Sequence, residues 1–315
     1  MAEKRIAFIF PAFINDYRDD PSGSIPQFGT VFNTFLARAD GFADKGLAEF
    51  QRESNPMISD ELRNQYLSYV YSCSCSEVLA GNGVEPSMIA GYSMGIYASL
   101  YTAGSISFET GLLFIRKAYE SIRETLPGNN YGMGAVIGLG EKDIHEIFQD
   151  LNLNLLIVNR NSDHSFIVSG DGLHLNVFLS KAKEEGALSA KSLGVSVPYH
   201  TGLLKAAAAE LSLTVEGADL RDPKIPLISL LSRQLITDAK SAGNEVVRNL
   251  FNPLDWRSTQ TEMYRMGEAI FTECGPSRAL MKNSKFIPGA GKFVVWSSLA
   301  GKLDCGELRD PGPKE

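Results

Sequence analysis

The chain has 315 residues, 44% hydrophobic and 21% charged, the profile of a soluble globular protein long enough to bury a sizeable core. Its formal net charge of −7 at pH 7 argues against a general nucleic-acid binder. No apolar run reaches the roughly 18 residues of a membrane span, so neither nucleic acid nor membrane is an expected partner.

The opening MAEKRIAFIFPAF is charged and then apolar, but it is short and lacks a small-residue cleavage site. It reads as a first β-strand over 5–10 in a cytoplasmic protein. A helical pattern covers 60–80, the turn Gly81-Asn82-Gly83 leads to SMIAGYSMG, and helices are expected over 96–103 and 108–124, parted by Gly104. This alternation is the grammar of parallel strands with crossover helices.

From 132 the character changes. GMGAVIGL (132–139), NLLIVNRN (154–161), HSFIVSG (164–170) and ALSAKSL (187–193) read as strands, with helices over 141–151 and 172–186. The order β-α-β-β-α-β is the split βαβ unit of a ferredoxin-like subdomain. The expected division is therefore a large α/β subdomain from 1–128 and 194–303, a ferredoxin-like small subdomain over 129–193, and a flexible tail over 304–315. After the insertion, LKAAAAEL is helical, and KIPLISLL (224–231) and FVVWSSL (293–299) read as strands. Cys73, Cys75, Cys274 and Cys305 show no C-x-x-C spacing and are expected as free thiols, with no metal site.

Gly91-Tyr92-Ser93-Met94-Gly95 matches G-x-S-x-G between a strand-like MIA and the helical IYASLYTAG. Glycines flank a serine held in a sharp strand-to-helix turn because bulkier neighbours would clash there. Such a turn presents the Ser93 hydroxyl at a helix N-terminus, where the Met94 N–H is the natural first oxyanion donor. A serine nucleophile needs a base, and the chain has four histidines. His145 falls on the polar side of an amphipathic helix, His164 in a turn, and His174 at a helix start without chemical company. His200, in VSVPYHT where the insertion hands back to the main unit, is the base by elimination and position.

Together these segments resemble the malonyl-CoA:acyl-carrier-protein transacylases and the acyltransferase domains of polyketide synthases, over roughly 5–300. GYSMGIYASLYTAG is similar to the family's serine segment, and GMGAVIGL, NRNSDHSFIVSG, VSVPYHT and ECGPSRAL to four others in the same order. The resemblance implies an α/β-hydrolase-like core and a ping-pong reaction: Ser93 attacks an acyl thioester, His200 takes its proton, and a carrier-protein phosphopantetheine thiol collects the acyl group. It implies no bound cofactor, acyl-CoA and acyl carrier protein as partners, and a monomer acting in trans. It also makes the Asn249 carbonyl the group that orients His200, and the Phe13 N–H the second oxyanion donor.

The departures bear on substrate. The arginine by which malonyl-specific members bind the carboxylate falls, counting from Ser93, on Ala118. Arg116 lies two residues away, about 200° round a helix. The family's histidine before the serine is Tyr92, the glutamate after the elbow is Ile96, and its Gly-Gln-Gly-Ser-Gln stretch is Ala12-Phe13-Ile14-Asn15-Asp16. With Tyr92, Ala118, Ile96 and Tyr199 lining the acyl pocket, the expected acyl group is not carboxylated. A trans-acting thioester hydrolase on the same scaffold is the alternative, and a degenerate carrier-protein-binding member the second. An ordinary α/β-hydrolase esterase is disfavoured by the insertion and the five matched segments. Lys181, Lys183, Lys191, Lys205, Arg278 and Lys282 are candidate contacts for an acidic carrier protein.

Overall fold

The run RIAFIF folds as β1 (Arg5–Phe10), its last four residues buried, as a continuous apolar run requires of a central parallel strand. The computed structural model describes residues 5–14, 16–17, 20–43, 46–47, 60–126, 128, 130–289 and 291–302. Asn15, Cys305 and the tail expected over 304–315 lie outside the described residues.

Helices α1 (Pro26–Ala43) and α2 (Glu61–Gly81) follow β1. The Asp60 carboxylate caps α2 by accepting from the Arg63 N–H at 2.7 Å. This helix is buried without a break from Asn64 through Ser76. Its serines tolerate that burial because the Ser74 and Ser76 hydroxyls donate to the Val70 and Cys73 carbonyls at 2.7 and 2.9 Å. Next come β2 (Met88–Gly91), α3 (Gly95–Thr102) and α4 (Phe108–Thr125), the last capped by Ser107, whose hydroxyl accepts from the Thr110 N–H at 3.0 Å.

The middle of the chain runs β3 (Tyr131–Ile137), α5 (Glu141–Asp150), β4 (Leu155–Ser162), β5 (Ser165–Asp171), α6 (Gly172–Glu184) and β6 (Ser189–Ser192). The remainder adds α7 (Lys205–Glu216), β7 (Leu227–Ile228), β8 (Leu235–Ile236), α8 (Ala239–Asn249), β9 (Leu254–Asp255), α9 (Trp256–Arg265), β10 (Glu268–Glu273), α10 (Ala279–Ser284), β11 (Lys292–Val295) and α11 (Trp296–Lys302).

Two sheets result. The larger has the order β11-β10-β1-β2-β7-β8, parallel except for the terminal β7–β8 hairpin. One face packs on the helical layer that includes α1 to α4 and α7, and the other on Trp256, Met263 and Leu280 of α9 and α10. The smaller sheet has the order β6-β3-β5-β4-β9, with Phe148 of α5 and Phe178 of α6 in its core. Among the described residues no helix is long and apolar enough to cross a membrane.

Three features depart from the sequence reading. The smaller sheet is not confined to 129–193: β9, from far down the chain, pairs parallel with β4 through Asn159 and Arg160. The strand expected over 224–231 is only two residues long. Beyond it the Ser229 hydroxyl accepts from the Leu231 and Ser232 N–H groups, and the chain turns back through Arg233 at φ 62°. The strand expected over 293–299 stops at Val295, and Trp296 starts a helix. A short apolar run does not reveal its own period, and the fully buried Trp296 ring packs 5.1 Å from Phe28 of α1. The sequence reading also missed α1 and β10, although β10 is the direct neighbour of β1.

Candidate active site

Strand β2 runs straight into the turn that carries Ser93, and α3 begins two residues later. Ser93 has φ 55°, a left-handed backbone that costs a non-glycine residue roughly 1–3 kcal/mol. The glycines on either side follow from close approach. A Cβ on Gly95 would lie 2.1 Å from the Phe10 carbonyl oxygen, and one on Gly91 would lie 2.5 Å from the Ile96 Cα. The turn therefore nests against the end of β1, and only glycine fits on either side of it.

His200 stands opposite. It too has a positive φ, 63°, so two of the four non-glycine positive-φ residues among the described residues meet at one point. The Ser93 hydroxyl and His200 Nε2 are 2.8 Å apart, and His200 Nδ1 is 2.7 Å from the Asn249 carbonyl oxygen. A carbonyl only accepts, so the proton sits on Nδ1 and Nε2 offers its lone pair to Ser93. Asn249 acts twice, because its side-chain amide also donates to the Ser93 carbonyl at 2.8 Å. The His200 N–H donates to the Leu250 carbonyl at 3.0 Å. The C-terminus of α8 thus braces both strained residues.

Burial pushes the His200 imidazole down to about 4, partly opposed by hydrogen bonds to the backbone at Asn249 and Asn252. The ring is neutral at neutral pH and able to take a proton from a hydroxyl. Neither the Met94 nor the Phe13 N–H donates to a backbone carbonyl among the described residues. Both residues line a cavity that also contains Ser93.

Two cavities meet at Ser93 and His200. The larger, about 530 Å³, is walled by residues such as Phe13, Glu61, Tyr92, Met133, Asn161, Val195, Tyr199 and Leu280. The smaller, about 30 Å³, is walled by Gln65, Met94, Tyr97, Ala118, Val246 and Asn249 among others. Among the described residues no lysine or arginine lines either one. Ala118 faces the smaller cavity, while the Arg116 guanidinium stacks 4.3 Å over the Phe42 ring.

Tyr92 does more than fill space. Its hydroxyl donates to Asn161 Oδ1 at 2.8 Å and accepts from Asn159 Nδ2 at 2.6 Å, joining the elbow to β4 of the other sheet. Burial raises this phenol to about 12, so it stays a neutral donor. Tyr199 lines both cavities, as expected of a pocket residue. Ile96 does not belong to the pocket: it lines neither cavity and packs in the main core, because α3 turns that side chain away from the opening. His145, His164 and His174 lie elsewhere; His174 Nδ1 accepts from the Asn154 N–H at 2.8 Å.

Sequence reasoning missed Glu61, Asn64 and Gln65 as cavity or wall residues. They sit at the start of a helix, where Asp60 and Glu61 read as an ordinary acidic first turn. Asn159, Asn161, Ser277 and Leu280 also reach the larger cavity. Their only sequence signal was membership in two of the segments matched above.

The family model described as an acyl transferase domain matches residues 69–285. The malonyl CoA-acyl carrier protein transacylase of Bacillus subtilis is 28% identical over 212 residues, 66% of this chain and 67% of that protein. The malonyl CoA-acyl carrier protein transacylase of Coxiella burnetii superposes with a TM-score of 0.83 at 24% identity, covering 95% of this chain and 96% of that one. A malonyl-transacylase in complex with a type II polyketide synthase acyl-carrier protein gives 0.79 at 23% identity, covering 95% and 98%. The chain belongs to the acyl transferase domain family.

Proposed function

We propose that this chain moves a non-carboxylated acyl group from a CoA or carrier-protein thioester, through an acyl-Ser93 intermediate, to the phosphopantetheine thiol of an acyl carrier protein. The observation that carries this reading is a Ser93–His200–Asn249 relay opening into cavities with no lysine or arginine among the described residues of their walls. Ser93 Oγ attacks the thioester carbonyl carbon as His200 Nε2 takes the hydroxyl proton. The Asn249 carbonyl holds the imidazolium through Nδ1–H, and the Met94 and Phe13 N–H groups meet the oxyanion. Collapse expels the thiolate, which takes the proton from His200. The acceptor thiol then gives its proton to His200 and attacks the acyl-serine, and Ser93 regains a proton as it leaves.

A carboxylated acyl group would bury its charge here without a partner, at a cost of several kcal/mol, on the order of a thousandfold in rate. Similarity to malonyl CoA-acyl carrier protein transacylases supports CoA and carrier protein as the two substrates. Exposed Lys183, Lys191, Lys205, Arg278 and Lys282 supply cations for an acidic carrier. Lys181 is already paired with Glu184 and Glu185.

The test is intact-protein mass spectrometry of wild type and Ser93→Ala after incubation with acetyl-, hexanoyl- and malonyl-CoA, followed by holo carrier protein. The expected result is an adduct on wild type alone, from the uncharged donors alone, chased onto the carrier. Ready malonyl labelling refutes the substrate assignment, and an adduct that persists in Ser93→Ala refutes the nucleophile. Release of free acid with no acyl carrier formed makes the chain a hydrolase instead.

A further inference from the structure

Among its described residues the larger cavity holds one ionisable side chain besides His200 and the two tyrosines, Tyr92 and Tyr199, and it is a carboxylate. Glu61 Oε1 accepts from the Tyr199 hydroxyl at 2.6 Å and from Gln65 Nε2 at 3.2 Å. Its second oxygen, Oε2, accepts no hydrogen bond from the described residues, yet the side chain lines the space that Ser93 faces. Tyr199 directly precedes His200, so the carboxylate is tied through one phenol to the segment that carries the base. Among the described residues the cation whose field reaches it is Arg123, which is exposed, bonded to the Tyr119 hydroxyl and not part of the cavity wall. Burial raises the Glu61 carboxyl above its usual range, opposed by the bonds from Tyr199 and Gln65.

We infer that Glu61 sets acyl specificity, its free oxygen pairing with a hydrogen-bond donor on the acyl chain, a hydroxyl or an ammonium group, and repelling a carboxylate. This rests on the acyl-Ser93 reading above and sharpens it. The missing guanidinium at Ala118 explains why a carboxylated chain gains nothing, whereas Glu61 makes the pocket actively hostile to it and gives a donor-bearing chain a partner. A buried acceptor left unpaired by a plain alkyl chain penalises that chain as well.

Rates of Ser93 loading from butanoyl-, 3-hydroxybutanoyl-, 3-aminobutanoyl- and malonyl-CoA, measured by mass spectrometry on wild type and Glu61→Gln, decide the matter. Wild type is expected to load at least one donor-bearing thioester fivefold or more faster than butanoyl. A gain confined to the amino compound assigns ion pairing, and a gain for both assigns hydrogen bonding. Glu61→Gln is expected to raise the malonyl-to-butanoyl ratio at least tenfold and to abolish any preference for the amino compound. Equal loading of the three C4 chains by wild type overturns the inference, and so does an unchanged malonyl ratio in a folded Glu61→Gln. Should that variant not fold, the wild-type ratios decide alone. Butanoyl loading keeps the two claims apart: if no thioester loads Ser93, the acyl-enzyme reading fails first and this inference falls with it.

Discussion

Two buried groups pull the stability of this protein in opposite directions between pH 4.5 and 6.5, and single variants separate them. Burial lowers the His200 imidazole to about 4 and raises the Glu273 carboxyl to about 7. As pH falls below 6.5 the unfolded chain protonates its histidine while the fold does not, so the His200 contribution is present above 6.5 and is lost down to pH 4. Glu273 works the other way. Its contribution is present below 4.5, where both states are protonated, and is lost as pH rises to 7, because only the unfolded carboxyl ionises freely.

Each group lies 2.5 pH units from its ordinary value (6.5 − 4 and 7 − 4.5), about 3 kcal/mol over its own window. Over the two units they share, each amounts to roughly 2–3 kcal/mol, and in wild type they nearly cancel. Urea unfolding at pH 4.5, 5.5 and 6.5 on wild type, His200→Gln and Glu273→Gln reads the difference, with all other titrating groups held in common. Relative to wild type, His200→Gln is expected to lose roughly 2–3 kcal/mol as pH rises across this range, and Glu273→Gln to gain as much. Three parallel stability curves would refute the reasoning. The same neutral imidazole places the acid limb of Ser93 acylation near pH 4, and a limb at pH 6–7 would show His200 to be solvated in the working enzyme.

Two further outcomes follow from contacts at the elbow. Gly95→Ala puts a Cβ 2.1 Å from the Phe10 oxygen, part of strand backbone that cannot step aside; a loss of at least ~3 kcal/mol is expected, read from the urea midpoint. An unchanged midpoint would mean that the turn is not packed on β1. Tyr92→Phe strands the Asn159 and Asn161 amides beneath the elbow and should cost about 1–3 kcal/mol. Acyl loading should stay within about tenfold, because the hydroxyl bonds to β4 and not to Ser93. A hundredfold loss of loading with full stability would contradict that division of labour.

Much of the site was legible because its signals are local. Gly91 and Gly95 report a steric fact about their own neighbourhood, which identifies the elbow and Ser93. His200 was legible for a weaker reason, since four histidines left few candidates. The pocket was read less well. Ala118 could be placed by counting from Ser93 to the arginine position of the resembled family, but the same resemblance put Ile96 in the pocket, and the structure turns Ile96 into the core. Glu61 carried no signal, because an acid in the first turn of a helix is ordinary and its partner Tyr199 lies 138 residues away.

The sequence by itself determined the alternation of strands and helices, the inserted β-α-β-β-α-β order and the strained turn at Ser93. Hydrophobic period and backbone sterics act over a few residues, so these were written locally. Only the tertiary structure decided that β9 would leave the main unit to join the smaller sheet and that FVVWSSL would break into a helix at Trp296. It alone decided that Asn249, expected to orient His200 through its carbonyl, would also hold the Ser93 carbonyl by its side-chain amide. Each of these depends on surfaces distant in sequence meeting in one packing arrangement, which residue type and spacing do not encode one segment at a time.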